Sequence, residues 1–360
     1  MPAALPRARS TRTALAPALA ALLIAGTLAL TARPAHTAEA GQASQTAELV
    51  NALACELADN FVFPDVGERY AAAVKAKLAS GAYAGINDPD TLAKTITADL
   101  QAVASDGHLK LFTPAMLVDR APRPNGTPPP MAAIPASGWL ADGVAYIGFT
   151  VFPGDEATLK TLDGFIAAHA GARVLIIDAR RHRGGGLDEM DRIFPHLFSR
   201  ETPLVLMDTR EAVDRRGGNP IMDSPTVRRQ PSPASVVRRL HLAVPAANPV
   251  WRDTKVLLLT SQRTASAAEH LALSLKRTGR ATLVGETTRG AGHYGGMAEL
   301  PGGFGAFVPV GRTFDPDTGQ GWEGTGVAPD VAVPAADALN RALELAGVNP
   351  ATARKPAGVS

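Results

Sequence analysis

Two junctions carry the residue types that could do chemistry. The first is the run DARRHRGGG, Asp178–Gly186, which follows the short apolar stretch RVLIID. Consecutive glycines let backbone N–H groups approach a ligand closely, with the start of a helix behind them. A phosphate cradle is one reading, although the Lys-Ser/Thr that completes a P-loop is missing. An oxyanion hole is a second reading, and a plain flexible turn is a third. The second junction is TSQRTASAAEH, after the apolar run KVLLLT. Here Ser266 stands where a helix should begin, with Glu269 three residues on. S-x-x-E is the signature of a capping box, so on this pattern alone a helix cap is the first reading of Ser266 and a nucleophile the second. Thr264 offers an alternative cap. A serine at this position would also gain from the helix dipole, and the N–H of Ala267 would face a developing oxyanion.

A serine hydroxyl needs a base near neutral pH. His108, in SDGHL, and Glu323, in the glycine-rich GWEGTGV, are the candidates for a base and its carboxylate. Taken singly, a histidine after a helix is an ordinary structural residue and a loop glutamate is an ordinary solvated one.

Over 45–112 the pattern is helical: Leu49, Leu53 and Leu57, then Tyr70, Val74 and Leu78, repeat at i, i+4, i+8, and Leu92, Ile96, Leu100 and Val103 continue it. Asp88 or Asp90 can cap the third helix. Three amphipathic helices need a surface to cover, which implies a small helical lobe packed on the rest. Seven prolines fall between 114 and 138, the mark of a linker or surface loop. Beyond it, apolar runs at 144–149, 173–178, 255–260, 281–285 and 306–310 alternate with helical patterns. That alternation predicts an α/β core whose sheet is covered by helices on both faces. In such sheets ligands bind outside the carboxyl ends of the strands. The Arg-rich stretch 207–250 reads as an irregular surface excursion, and 336–346 as a last helix stopped at Gly347.

The first forty residues stand apart. Arg7, Arg9 and Arg12 precede an apolar run over 14–30, and small residues around Ala38 and Ala40 offer cleavage sites. This is the layout of a secretory signal; Pro17, Gly26 and the shortness of the run argue against a retained anchor. The expected divisions are a signal at 1–40, a helical lobe at 41–113, a Pro-rich linker at 114–140, a catalytic core at 141–347 and a tail at 348–360. Cleavage after Ala40 removes four arginines and one glutamate, taking the formal charge from +2 to −1. The basic balance therefore gives no case for a nucleic-acid partner. Cys55 is the only cysteine, which excludes an internal disulfide and a cysteine metal cluster. It falls in a helical pattern, and a buried, inert thiol is expected. No H-E-x-x-H or other metal set and no dinucleotide fingerprint occurs, so no metal or cofactor is expected.

SDGHL, IIDARRHRGGG, LLTSQRTASAAEHLALSLKRTGRATLVGETTRGAG and WEGTGVAPDV, in that order, resemble the landmarks of the tail-specific, or C-terminal-processing, serine peptidases. The similarity runs from about Ala47 to Val333. It departs from the bacterial processing enzymes in two ways. Only about thirty residues separate Leu111 from Val144, too few for the PDZ domain those enzymes carry there. Where they place a catalytic lysine, GETTRGAG has Ala291, and Lys276 lies roughly 15 Å along the helix from Ser266. The chain is more similar to the PDZ-lacking branch, which includes tricorn-like peptidases and the repeats of interphotoreceptor retinoid-binding protein. That resemblance implies Ser266 as nucleophile, His108 as base and Glu323 as its carboxylate. The N–H groups of Gly184 or Gly185 and of Ala267 would then be oxyanion donors. Gly107 stands where tricorn has an additional serine, so that role is not carried over. The implied function is an exported serine peptidase acting on proteins or peptides. The retinoid-binding repeats imply an alternative, a non-catalytic module for a lipid or other apolar ligand. An esterase is a third possibility, but the G-x-S-x-G elbow of α/β-hydrolases is missing. With Glu323 beside it, His108 is expected to have a pKa near or above 6.5.

Overall fold

A computed structural model describes residues 35–118 and 132–354, with side chains from Gly41 onward. The expected signal segment up to Pro34, and residues 119–131 of the Pro-rich linker, lie outside the described residues.

The helical lobe forms as its periodicity predicts. It comprises α1 (Ala35–Asn60), α2 (Pro64–Ala79) and α3 (Pro89–Val103). Leu49, Leu53, Leu57, Tyr70, Val74, Leu92, Ile96 and Leu100 are all buried. Of the two possible caps for α3, Asp88 serves: its carboxylate accepts the Thr91 N–H at 2.8 Å. Cys55 is exposed, contrary to expectation. It lies two residues from Leu53, about 200° around the helix from the buried stripe, and therefore faces water.

β1 (Lys110–Phe112) and α4 (Pro114–Val118) follow the lobe. Then comes the α/β layer: β2 (Ala136–Ala141), β3 (Val144–Gly148), α5 (Glu156–Ala168), β4 (Val174–Asp178) and α6 (Asp188–Leu197). Between α6 and the return to this layer lie β5 (Thr202–Arg210), α7 (Glu211–Arg215), β6 (Val227–Gln230) and β7 (Val236–Ala243). The chain continues with β8 (Lys255–Thr260), α8 (Ala267–Arg277), β9 (Ala281–Gly285), β10 (His293–Glu299), β11 (Gly305–Phe314), β12 (Val331–Ala332) and α9 (Ala338–Leu345).

One sheet has the order β12-β9-β8-β4-β3-β2, parallel except for β2. Its strands alternate between two cores. Leu175, Ile177, Val256, Leu258 and Leu283 pack with α5, α6 and α8, while Ile176, Leu257, Leu259 and Val284 pack with α9. Both faces are thus covered, which is why these strands read as unbroken apolar runs.

A second, antiparallel sheet has the order β1-β11-β5-β7-β6, with β10 on the free side of β11. This corrects two expectations. The run 306–310 belongs here rather than to the parallel sheet, and the stretch 207–250, expected as an irregular excursion, contributes the end of β5, α7, β6 and β7 between its loops. Ala306, Val308 and Val310 form the floor on which the helical lobe sits. The arginines that hid the strand pattern are paired. Arg238 meets Asp208, and Arg239 meets Asp214 and Asp223.

Candidate functional site

The parallel strands β4 and β8 end side by side, and both candidate junctions leave from those ends. Ser261 and Thr264 fasten the second to the first: the Ser261 hydroxyl donates to the Arg180 carbonyl (2.6 Å) and the Thr264 hydroxyl to the Ala179 carbonyl (2.7 Å). Thr264 is thereby used as a strut and not as a helix cap.

Ser266 has φ 58° and ψ −119°, the only positive φ of a non-glycine among the described residues. A helix N-cap sits in the β region and needs no such conformation, whereas a strained residue costs about 1–3 kcal/mol and persists only where its surroundings impose it. Those surroundings are visible. The Ser266 N–H donates to the buried Glu269 carboxylate (2.8 Å), which also accepts the N–H of Gly290 and Ala291 and the Thr288 hydroxyl. The Ser266 carbonyl accepts the N–H of Glu269 and His270. Burial pushes the Glu269 carboxyl up, against these hydrogen bonds. The capping-box glutamate is therefore real, and it helps to fix the serine backbone.

The glycine junction lies directly opposite. A Cβ on Gly184 would sit 2.8 Å from the Ser266 Cβ, and Gly184 has φ 117°. Its N–H is already donated to Nδ1 of the buried His182 (3.0 Å), whose imidazole burial pushes down to about 3. Gly185 is different. Its neighbours bond to Phe152 on either side, and its own N–H, like that of Ala267, has no protein acceptor among the described residues. Of the glycine pair, the geometry leaves Gly185 as the available donor.

Ser266, Ala267, Gly185 and His108 line one cavity of about 640 Å³. His108 is carried there by the turn after α3. Its ring stacks on Phe307, with centroids 5.3 Å apart, and its Nδ1 is buried without a partner. Burial lowers its pKa below the ordinary 6.5; Glu323 and Asp106 pull it upward but do not prevail. The expected upward shift is thus reversed, because desolvation outweighs the carboxylate. Glu323 grips the surrounding backbone instead of the ring, accepting the N–H of Gly107 (2.6 Å), Gly292 (2.6 Å) and His293 (3.0 Å).

Two residues that the sequence reading missed stand in the same place. Asp106 accepts the N–H of His108 (2.8 Å) and Leu109 (3.0 Å) on one oxygen and bonds His293 Nδ1 (2.6 Å) on the other. Burial alone would raise the Asp106 carboxyl, but the His293 ring and these N–H donors hold it below the usual range. His293 lines the cavity with Ser266. The available signals were the aspartate two residues before His108 and the imidazole two residues after Ala291. Asp106, His293 and Glu323 offer ligand atoms within 4.8 Å of one another. Those atoms are already hydrogen-bonded to each other or to backbone N–H groups, so the cluster reads as a closed network. No described helix is long and apolar enough to cross a membrane.

Comparison with known proteins bears on this arrangement. Residues 42–138 match the N-terminal domain of peptidase family S41 in eukaryotic interphotoreceptor retinoid-binding protein. A carboxyl-terminal-processing protease from Picosynechococcus sp. is 40% identical over 82 residues, 23% of this chain and 20% of that protein, so the match spans only about a fifth of the relative. The photosystem II D1 C-terminal processing protease has a similar fold. It matches with a TM-score of 0.53 at 14% identity, over 81% of this chain and 94% of that one. A lipoprotein from Streptococcus agalactiae matches with a TM-score of 0.52 at 12% identity, over 83% and 95%. Peptidase family S41 matches residues 143–333, the segment that holds Ser266, the glycine junction and Glu323, and the chain belongs to that family.

Proposed function

We propose that this chain is an exported serine peptidase that hydrolyses peptide bonds of proteins or peptides, with Ser266, His108 and Glu323 as its catalytic set. The observation that carries the reading is the forced backbone of Ser266 at the head of α8, facing a cavity with two unengaged N–H groups. His108 takes the Ser266 Oγ proton as Oγ attacks the scissile carbonyl carbon. The N–H groups of Gly185 and Ala267 stabilise the oxyanion, and the proton passes from His108 to the leaving amine. Glu323 acts through the backbone on both sides, fixing Gly107 beside His108 and Gly292 across from it. The apolar lining by Leu187, Met207, Ile221, Met222 and Val227 suits the side chain of a peptide. It also suits a free lipid, which supports the second reading of a non-catalytic apolar-ligand module. Labelling of the purified protein by a fluorophosphonate probe tests the choice. Label on the wild type that disappears in Ser266→Ala supports the enzyme, and an unlabelled wild type leaves the binding module.

A further inference from the structure

His108 and His293 both face the cavity, yet they are held differently. The Nδ1 of His293 is tied to Asp106 at 2.6 Å, and the Asp106 side chain is 1% exposed, so water does not compete for the bond. The ring is wedged edge-on against Phe61 and Phe63, at centroid distances of 6.2 and 5.6 Å. An imidazole that donates Nδ1–H to a fixed carboxylate keeps its lone pair on Nε2; this tautomer is assigned from the bonding pattern. His108 has no acceptor for Nδ1, and Glu323 holds its neighbour's backbone rather than its ring.

We propose that His293, oriented by Asp106, is the base that activates water against the acyl-enzyme, while His108 serves the acylation half of the reaction. The proposal rests on the serine peptidase reading above. After the amine has left, a water molecule gives a proton to His293 Nε2 as its oxygen bonds to the acyl carbon. The tetrahedral intermediate then collapses, the Ser266 Oγ–C bond breaks, and the proton passes from His293 to Oγ. The product is a carboxylic acid and Ser266 is restored, with no other reactant consumed.

The test is pre-steady-state hydrolysis of a p-nitrophenyl ester by the full chain carrying His293→Ala, His293→Gln or His108→Ala. Both His293 variants should still label with fluorophosphonate and release a stoichiometric burst of nitrophenol. Their steady-state rate should then fall by about 10²-fold or more, with acyl-enzyme visible by mass spectrometry. Added imidazole should recover part of the loss in His293→Ala, which a structural role would not allow. His108→Ala should lose burst and labelling together. Wild-type turnover in either His293 variant overturns the proposal, and so does loss of labelling along with turnover in a variant that unfolds at the wild-type temperature. If His293→Ala fails to fold, His293→Gln carries the same test. A wild type that does not label at Ser266 removes the peptidase reading itself, and this proposal with it.

Discussion

At the scale of single residues, Ser266 makes opposing demands on stability and chemistry. Its φ of 58° is imposed by Glu269 below it and Gly184 opposite. Replacing it by glycine, which tolerates positive φ, should raise stability over Ser266→Ala by roughly 1 kcal/mol in denaturant titration, while both variants lose labelling. Equal stabilities would mean the backbone is not strained. His108 makes a second prediction. A base works when deprotonated, and burial holds this imidazole below 6.5, so the acid limb of kcat/KM should fall below that pH. Glu323 favours the imidazolium, so Glu323→Gln should move the limb to still lower pH, besides slowing the reaction. A limb above 6.5, or an upward move in Glu323→Gln, would remove His108 as the titrating base.

At the scale of elements, the site depends on two strand-to-helix turns whose glycines are not interchangeable. Gly185 has φ 132°, and a Cβ there would fall 2.0 Å from the Phe152 carbonyl oxygen. Gly185→Ala should therefore displace the one free glycine N–H. It should cost about 1–3 kcal/mol through strain and slow fluorophosphonate labelling by about 10²-fold or more. Labelling at the wild-type rate would show that the donor lies elsewhere. The elements that build these turns were legible because β4 and β8 are buried on both faces, so their sequences are apolar throughout. The β5–β7 pair was not legible. Arg238 and Arg239 lie side by side in β7 and find partners only in the fold: Asp208 across the ladder, and Asp214 and Asp223 in the connection between β5 and β6. A charge neutralised by a distant residue looks like a loop in sequence. His293 was missed for a related reason, since its role comes from Asp106 in another element. Cys55 differs for a simpler reason: it lies in the expected helix but on the face opposite the leucine stripe, and so is exposed.

At the scale of the molecule, the helical lobe does more than cover apolar surface. By seating on Ala306, Val308 and Val310 of the second sheet, it delivers the turn with Asp106 and His108 to a serine that belongs to the first. The site exists only when both sheets and the lobe are assembled. The apolar stripe of α1 begins at Leu49, well past the small residues around Ala40 that would be cut. The first forty residues combine a basic start, a short apolar run and small residues, features that direct export. We therefore predict that the protein exported by its native host begins near Gly41. Its formal charge should be −1 instead of +2, because four arginines and one glutamate leave with the segment. Amino-terminal sequencing together with isoelectric focusing checks both parts. A start at Met1 or Pro2 in the exported protein would sink the prediction. A start near Gly41 with labelling intact would show that the catalytic assembly is complete without the leader.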